Sequence, residues 1–255
     1  MMKKVLVFSL VLAGVAAVCA PLWSQDKPAA TTKPAGGDAK KTTFDGNDSL
    51  AGWTITGAAA IDLTKDRADK GGSLKLAPGA KAVLTLRDKD ESGKVEMWVY
   101  DDATKPENAK ANRTGPRWGL LASDGHVLVV GILYAKYLGG DTGYTAIASD
   151  GKRWYSNLTW LGLNRSPAAW HKWTFDFDAD KGLRLLYDDK EVSNQGKPRF
   201  DWNKTDFKGF RGIVLYGDGG KGNEQTLWVD DLSVTLGGPM KATPTPATSP
   251  APAPK

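Results

Sequence analysis

Cysteine and histidine are scarce in this 255-residue sequence. Cys19 is the only cysteine, and His126 and His171 are the only histidines. One cysteine excludes an internal disulfide, and two histidines without another thiol are too few for a zinc site. The folded chain must therefore be stabilised by an ordinary hydrophobic core or by another bound ion.

Apolar runs long enough to cross a membrane are also lacking. The longest run, residues 5–18, follows Lys3 and Lys4 and is shorter than the about 20 apolar residues that a membrane span needs. The small residues of a cleavage region lie at the end of this run and after it, at Ala16, Ala17, Ala20 and Ser24. This order predicts a cleaved signal peptide over residues 1–24. We therefore expect a secreted protein, or a periplasmic or cell-envelope one.

Cys19 suggests an alternative to simple secretion. Bacterial lipoproteins carry their lipid on a cysteine that has a small residue directly before it and usually a leucine three positions before it. Val18 and Ala16 occupy those positions here. Lipoprotein anchoring through Cys19 is therefore the less favoured alternative, and no transmembrane segment is expected after cleavage.

Charge indicates no nucleic-acid partner. The net charge is +5, and the lysines and arginines are scattered along the chain rather than interleaved with aromatic residues. A nucleic-acid-binding protein usually concentrates its basic residues in one patch or stripe. We therefore expect no nucleic acid among the partners.

Composition divides the rest of the chain into three segments. Residues 25–41 are rich in Ala, Lys, Thr, Pro and Gly, which is typical of a flexible linker. Residues 42–236 contain the large apolar residues of a folded domain, and one all-β domain can reach this length. Residues 237–255 are rich in proline, which predicts an extended, disordered tail.

Alternating apolar and polar residues predict strands in the folded segment. Residues 94–100 place Val95, Met97 and Val99 on one face and Glu96, Trp98 and Tyr100 on the other. Similar short segments recur up to residue 236, separated by Gly and Asp turns, and no segment has a convincing helical period. The sequence therefore predicts an all-β fold, an antiparallel β-sandwich or barrel.

Two groups of motifs resemble a known family. Residues 170–176 and 183–192, with Trp170-His171 at the start, resemble the Trp-His hairpin of laminin G-like domains in the concanavalin A-like lectin/glucanase superfamily. The ends, residues 43–53 and 227–234, are similar to the opening and closing strands of jelly-roll carbohydrate-binding modules. The resemblance implies a concanavalin A-like jelly roll and a glycan or polysaccharide as partner.

The same resemblance implies a structural calcium ion. Asp230 falls among the core-facing positions of the closing strand if no bulge intervenes, and a buried carboxylate needs a cation or hydrogen-bond donors. In the binding modules that this strand resembles, the corresponding acid helps to hold calcium, which makes Asp45 and Asp230 the implied metal ligands. The alternative is a bulge, or a carboxylate that caps backbone N–H groups.

Signatures of catalysis are absent. Catalytic members of the superfamily carry a Glu-x-Asp-x-x-Glu strand, but in the segment from Glu96 to Asp101 the aromatic Trp98 stands where the aspartate belongs. There is no nucleophile-elbow motif, and both histidines are interpreted as structural. No catalytic residue is predicted.

Aromatic residues favour sugar binding. The chain has ten tryptophans, and all but Trp23 follow the signal segment. Trp53, Trp173 and Trp228 are expected in the core, whereas sugar rings stack on aromatic rings that stay near the surface. The predicted ligand-binding residues are Trp98, Tyr134, Tyr144, Arg153, Trp154 and Tyr155.

The sequence thus favours an exported, non-catalytic protein that binds polysaccharide through an aromatic-lined sheet face. One alternative is a glycoside hydrolase or polysaccharide lyase on the same fold. Another is a structural or adhesion domain of the cell envelope.

Overall fold

The computed structural model describes most of the predicted folded segment. The described residues are 39–68, 71–104, 113–134, 142–152, 154, 159–165, 168–193, 207–217 and 225–237. All of them belong to one compact unit, Pro34–Lys255. Within these ranges, no helix has the length and apolar character to cross a membrane.

The strands, numbered β1 to β15 in chain order, form two antiparallel sheets. Sheet A is 8-stranded, with the order β13-β12-β11-β6-β15-β4-β3, and β1 pairs with the other half of β15. Its strands are β1 (Ala39–Thr42), β3 (Ala59–Asp62), β4 (Ser73–Leu76), β6 (Gly93–Asp101), β11 (Ala169–Asp178), β12 (Gly182–Tyr187), β13 (Lys190–Val192) and β15 (Leu227–Leu236). A short 3₁₀ helix, Asn47–Leu50, precedes β2.

Sheet B is 7-stranded, with the order β10-β9-β8-β7-β14-β5-β2. Its strands are β2 (Trp53–Thr56), β5 (Lys81–Thr85), β7 (Arg113–Leu121), β8 (Val127–Tyr134), β9 (Thr142–Ser149), β10 (Thr159–Asn164) and β14 (Gly212–Tyr216). The chain passes from one sheet to the other between β4, β5, β6 and β7. The fold is an antiparallel β-sandwich of the jelly-roll type, as the sequence predicts.

The core lies between the two sheets because each strand turns its apolar series inward. In β6, Val95, Met97 and Val99 are buried, which confirms the predicted alternation. Trp173 of β11 meets Trp118 of β7 across the core, with ring centroids 5.6 Å apart. Burial of such aromatic and aliphatic side chains supplies the main stabilisation of a domain that has no disulfide.

Aspartates determine the hairpin between β12 and β13. Asp188 and Asp189 both have positive φ angles, 48° and 62°, as a tight two-residue hairpin turn requires. The Asp188 carboxylate accepts the backbone N–H of Lys172 at 2.9 Å and lies 2.9 Å from Nδ1 of His171, whose ring stacks on Tyr187. These contacts hold His171 beside the hairpin, and its structural role stays a prediction.

A bulge in β15 corrects one expectation about the core. Leu227 and Val229 point inward before the bulge, and Leu232 and Val234 point inward after it, because the pairing register with β6 shifts between Asp230 and Ser233. An extra residue in one strand reverses which side chains face the core. The expectation that Trp228 is a core residue is therefore wrong, since Trp228 lies half-buried on the outer face of sheet A.

Strand bounds differ from the prediction at some edges. β1 begins at Ala39, inside the segment predicted as a linker, because its backbone pairs with β15 from Ala39 opposite Thr235 to Thr42 opposite Leu232. Its side chains are mostly polar, so no apolar period marks it in the sequence. The short edge strands β2, β3 and β13 likewise depend on pairing rather than on a strong pattern of their own.

Candidate functional site

Three aromatic side chains form a row across the outer face of sheet A. Tyr100 of β6 is paired with Trp170 of β11 on one side and with Trp228 of β15 on the other. The ring centroids of Tyr100 and Trp170 are 5.4 Å apart, and those of Tyr100 and Trp228 are 5.9 Å apart. We call Trp170, Tyr100 and Trp228 the aromatic row.

Local sequence and strand pairing together create the aromatic row. Each residue occupies an outward position of its strand, and neighbouring strands lie about 4.8 Å apart, which brings paired rings into contact. The rings meet edge to face, an arrangement that aromatic pairs prefer. All three side chains are half-buried, so the row is fixed in place but still reaches the surface.

Cationic side chains lie over these rings. The Lys65 Nζ is 3.9 Å from the ring centroid of Tyr100 and 5.8 Å from that of Trp228. Next to the row on β6, the ring of Trp98 has the Arg67 guanidinium 4.6 Å from its centroid. Positive charges are attracted to the faces of aromatic rings, and they also supply hydrogen-bond donors at the surface.

The segment that carries Lys65 and Arg67 is anchored to sheet A by carboxylates. Asp231 accepts the Arg67 guanidinium in a close ion pair, and the backbone N–H of Arg67 donates to Asp230 at 3.4 Å. At the other end, Asp62 accepts the indole N–H of Trp228 at 3.0 Å. Hydrogen bonds from Thr64 and Trp228 lower the pKa of Asp62, which therefore stays ionised.

A second aromatic cluster lies on the outer face of sheet B. The Arg117 guanidinium is 4.4 Å from the ring centroid of Trp154 and 5.0 Å from that of Tyr216, and Lys81 also approaches Tyr216. Trp154 is 38% exposed. We call Trp154, Tyr216, Arg117 and Lys81 the Trp154 cluster. It offers one exposed ring, whereas the aromatic row offers three rings in line.

The predicted ligand-binding residues are divided between these surfaces and other places. Trp98 lies beside the aromatic row, and Trp154 belongs to the second cluster. Arg153 and Tyr155 lie outside the described residues. Tyr134 ends β8, but its side chain is likewise outside the described part of the structure.

Tyr144 lies in the core rather than on a surface. It is 1% exposed, and its hydroxyl donates to Asp101 at 2.5 Å. Arg165 pairs with the same carboxylate. Burial and the Asp101 charge raise the pKa of Tyr144, whereas the Arg165 bonds and charge lower that of Asp101 in spite of its burial. These polar atoms satisfy one another, and we leave Tyr144 out of the candidate site.

Sequence reasoning did not select the aromatic row as a set. The alternation of residues 94–100 already placed Tyr100 on the same face as Trp98, which was the available signal. Uninterrupted alternation in the closing strand predicts Trp228 in the core, and the bulge is what places it on the outer face. Lys65 carries no signal in the sequence, since only the fold brings its loop over β6.

The predicted metal ligands have separate hydrogen-bond partners. Asp45 accepts the Thr43 hydroxyl at 2.5 Å, and it lies so close to Gly71 that a Cβ there would be 2.0 Å from its Oδ1. Asp230 accepts the backbone N–H of Asp231 at 2.7 Å and that of Arg67.

Among the described residues, no three Asp, Glu, His or Cys side chains are grouped as a metal site requires. Asp230 lies at the bulge and accepts hydrogen bonds from backbone N–H groups, which is the arrangement that the alternative to a metal ligand predicts. Burial raises its pKa to about 6. Calcium binding stays a prediction.

Comparison with known proteins shows the fold. No protein-family model matches the sequence, and no curated protein is significantly similar to it. A conserved carbohydrate esterase from the Shiga toxin-encoding bacteriophage phi24B is 12% identical, with a TM-score of 0.50 over 77% of this chain and 96% of that one.

Two further solved structures have a lower structural likeness. Domain 4 of an extracellular arabinanase from Geobacillus stearothermophilus, in complex with arabinotriose, is 16% identical, with a TM-score of 0.47 over 78% of this chain and 94% of that one. The Emp47p carbohydrate recognition domain is 14% identical, with a TM-score of 0.43 over 77% and 94%. Identities this low describe the fold alone.

Proposed function

We propose that this protein is an exported, non-catalytic protein that binds polysaccharide along the outer face of sheet A. The observation that carries the proposal is the aromatic row, in which Trp170, Tyr100 and Trp228 follow one another on three adjacent strands. Export is proposed from the signal-peptide pattern of residues 1–24.

The chemistry of the row suits a sugar polymer. Sugar rings have apolar C–H faces that pack on aromatic rings, and their hydroxyls need polar partners at the edge of the contact. The row supplies rings at 5.4 and 5.9 Å spacing, and Lys65, Lys75 and Asp62 supply the polar groups around it. A line of rings fits an extended chain better than a compact ligand.

Catalysis is not part of the proposal. The group that combines an acid, a tyrosine and an arginine, formed by Asp101, Tyr144 and Arg165, is buried, with Asp101 and the Arg165 side chain each 3% exposed. A general acid or base must reach the substrate directly or through one water. This group is better explained as a polar network that ties β6 to β9 and to the end of β10.

Affinity electrophoresis on a panel of soluble polysaccharides tests the proposal. We expect at least one polymer to retard the wild-type protein, and Trp170→Ala to weaken its binding about 30-fold, since loss of an aromatic contact that carries binding costs about 2 kcal/mol or more. Circular dichroism should show that the variant is folded. Absence of retardation by every polymer would refute the proposed function.

Trp154→Ala is the matched control on the opposite sheet. It removes an indole of the same size from the Trp154 cluster and should leave the affinity unchanged. If Trp154→Ala abolished binding while Trp170→Ala did not, the binding site would lie on sheet B, and the assignment to the aromatic row would be wrong.

A further inference from the structure

We propose that the aromatic row selects acidic glycans, whose carboxylate group pairs with the ammonium of Lys65. This inference rests on the proposed function, because it assigns a chemical class to the ligand of the same site. Lys65 lies over the ring of Tyr100, the neighbouring cations Arg67 and Lys75 are paired with carboxylates, and other cations on the same sheet face are paired as well.

Lys65 differs from the other cations that lie over the rings. Arg67 is paired with Asp231, and Lys75 lies 3.5 Å from Asp62. Within the described part of the chain, Lys65 makes no ion pair, and its Nζ contacts the rings of Tyr100 and Trp228. Among the residues that the structure describes, the aromatic row therefore carries one positive charge without a counter-charge.

Elsewhere on this face, cations have partners. Lys172 is 3.1 Å from Glu96 and 2.9 Å from Asp189, and Lys94 is 3.1 Å from the same Glu96. Arg184 is 2.6 Å from Glu191. The missing partner of Lys65 is thus a local property of the aromatic row rather than a general feature of sheet A.

The position of Lys65 determines the direction of the selectivity. Its ammonium occupies the ring face of Tyr100, so a neutral sugar must displace it in order to stack there. An acidic sugar instead draws the ammonium to its own carboxylate, and exchanges a cation–π contact for a charge-assisted hydrogen bond. Lys65 therefore opposes neutral glycans and assists acidic ones.

Pairs of polymers that share a backbone but differ in charge test this inference. Polygalacturonate is compared with its methyl ester, and alginate and hyaluronan are compared with their carboxyl-reduced forms. In at least one pair, we expect the acidic member to bind the wild-type protein about fivefold more tightly, the gain of one partly exposed ion pair. Sodium chloride should reduce this preference.

Lys65→Met isolates the contribution of the ammonium, since methionine keeps an apolar side chain over Tyr100. The variant should bind both members of the pair equally, with tighter binding of the neutral member than wild type. Lys94→Met, which removes a lysine paired with Glu96, is the matched control and should keep the preference.

The outcomes separate this inference from the proposed function. Equal binding of charged and neutral members, together with loss of both in Trp170→Ala, would overturn the acidic preference and leave the proposed function standing. Binding to polyglutamate as tight as to the acidic glycan, and insensitive to Trp170→Ala, would overturn the inference as non-specific charge attraction. No binding to any polymer would refute both.

Discussion

The outer face of sheet A contains two regions that share strands β6 and β11, an aromatic half and a charged half. The aromatic half comprises the aromatic row, Trp98, Lys65, Arg67 and Lys75. The charged half is a grid of ion pairs formed by Lys94, Glu96, Lys172, Asp176, Arg184, Asp189 and Glu191. In the aromatic half the cations lie over rings, although Arg67 and Lys75 also pair with carboxylates. In the charged half the cations pair with carboxylates.

The aromatic half has side chains that remain available to a ligand, whereas those of the charged half are already paired with one another. In the charged half, Glu96 is bonded to both Lys94 and Lys172, which lower its pKa in spite of its burial. A ligand there would have to break existing pairs. In the aromatic half, ring edges and the Lys65 ammonium remain for a ligand. The same backbone therefore serves stability in one half and, in our proposal, recognition in the other.

The bulge in β15 lies at the boundary between the two halves. Before it, Trp228 is paired with Tyr100, and after it, Ser233 is paired with Glu96. Asp230 occupies the boundary itself and is 3% exposed, and its carboxyl accepts hydrogen bonds from the backbone N–H groups of Asp231 and Arg67. We therefore expect a substitution at Asp230 to change the free energy of unfolding more than a substitution within either half.

Asp230 should make the protein less stable as the pH rises. Burial raises its pKa from 3.8 to about 6, so the folded protein holds this proton more tightly than the unfolded chain. Its favourable contribution is fully present below about pH 4 and is lost as the pH rises through 6. The loss is at most about 3 kcal/mol, since one pKa unit equals about 1.4 kcal/mol.

Denaturant unfolding of the wild type and of Asp230→Asn, at intervals from pH 4 to pH 7.5, measures this effect. The variant should gain stability relative to wild type as the pH rises, while acids with lowered pKa, such as Asp62 and Asp101, affect both proteins equally. Parallel pH profiles would contradict the prediction.

Added calcium tests the predicted metal site separately. If Asp45 and Asp230 bind calcium, added calcium should raise the Tm of the wild type but not the Tm of Asp230→Ala.

Asp231→Ala should loosen the segment over the aromatic row. The Asp231 carboxylate accepts hydrogen bonds from Nε of Arg67 at 2.7 Å and from Nη2 of the same guanidinium. Loss of this partly buried pair should cost about 1 kcal/mol and expose the segment to trypsin at Lys65 and Arg67. Limited proteolysis followed by mass spectrometry measures the cleavage sites. Unchanged cleavage would show that the ion pair does not anchor the segment.

Glu96→Gln should have the smallest effect, because it changes the charged half only. Glu96 pairs with Lys94 and Lys172, both at the surface, so we expect a loss of about 0.5 kcal/mol that disappears at high salt. Thermal unfolding at low and high sodium chloride measures it. Polysaccharide binding should stay at the wild-type level, and reduced binding would show that the two halves are not independent.

Some of this organisation could be predicted from the sequence because it depends on local periodicity. The alternation of residues 94–100 correctly placed Glu96, Trp98 and Tyr100 on one face, and this strand supplies one ring of the aromatic row and part of the charged half.

Other features depended on contacts between distant segments. Tyr144 was selected as a surface ring, but its hydroxyl meets Asp101 across 43 positions of sequence, and burial follows from that contact. Lys65 reaches Tyr100 only because the segment after β3 is anchored to Asp230 and Asp231, more than 160 positions later in the chain. No local pattern reports such pairings.

By itself the sequence determined the all-β class, the faces of the regular strands and the expectation of sugar binding, because period-two alternation and aromatic content are properties of short segments. Only the tertiary structure decided which aromatics share a surface. Strand order places Trp170, Tyr100 and Trp228 side by side, and the bulge turns Trp228 outward. The physical reason is that strand order and register come from hydrogen bonds between segments far apart in the chain, and a shift of one residue reverses the face of every side chain beyond it.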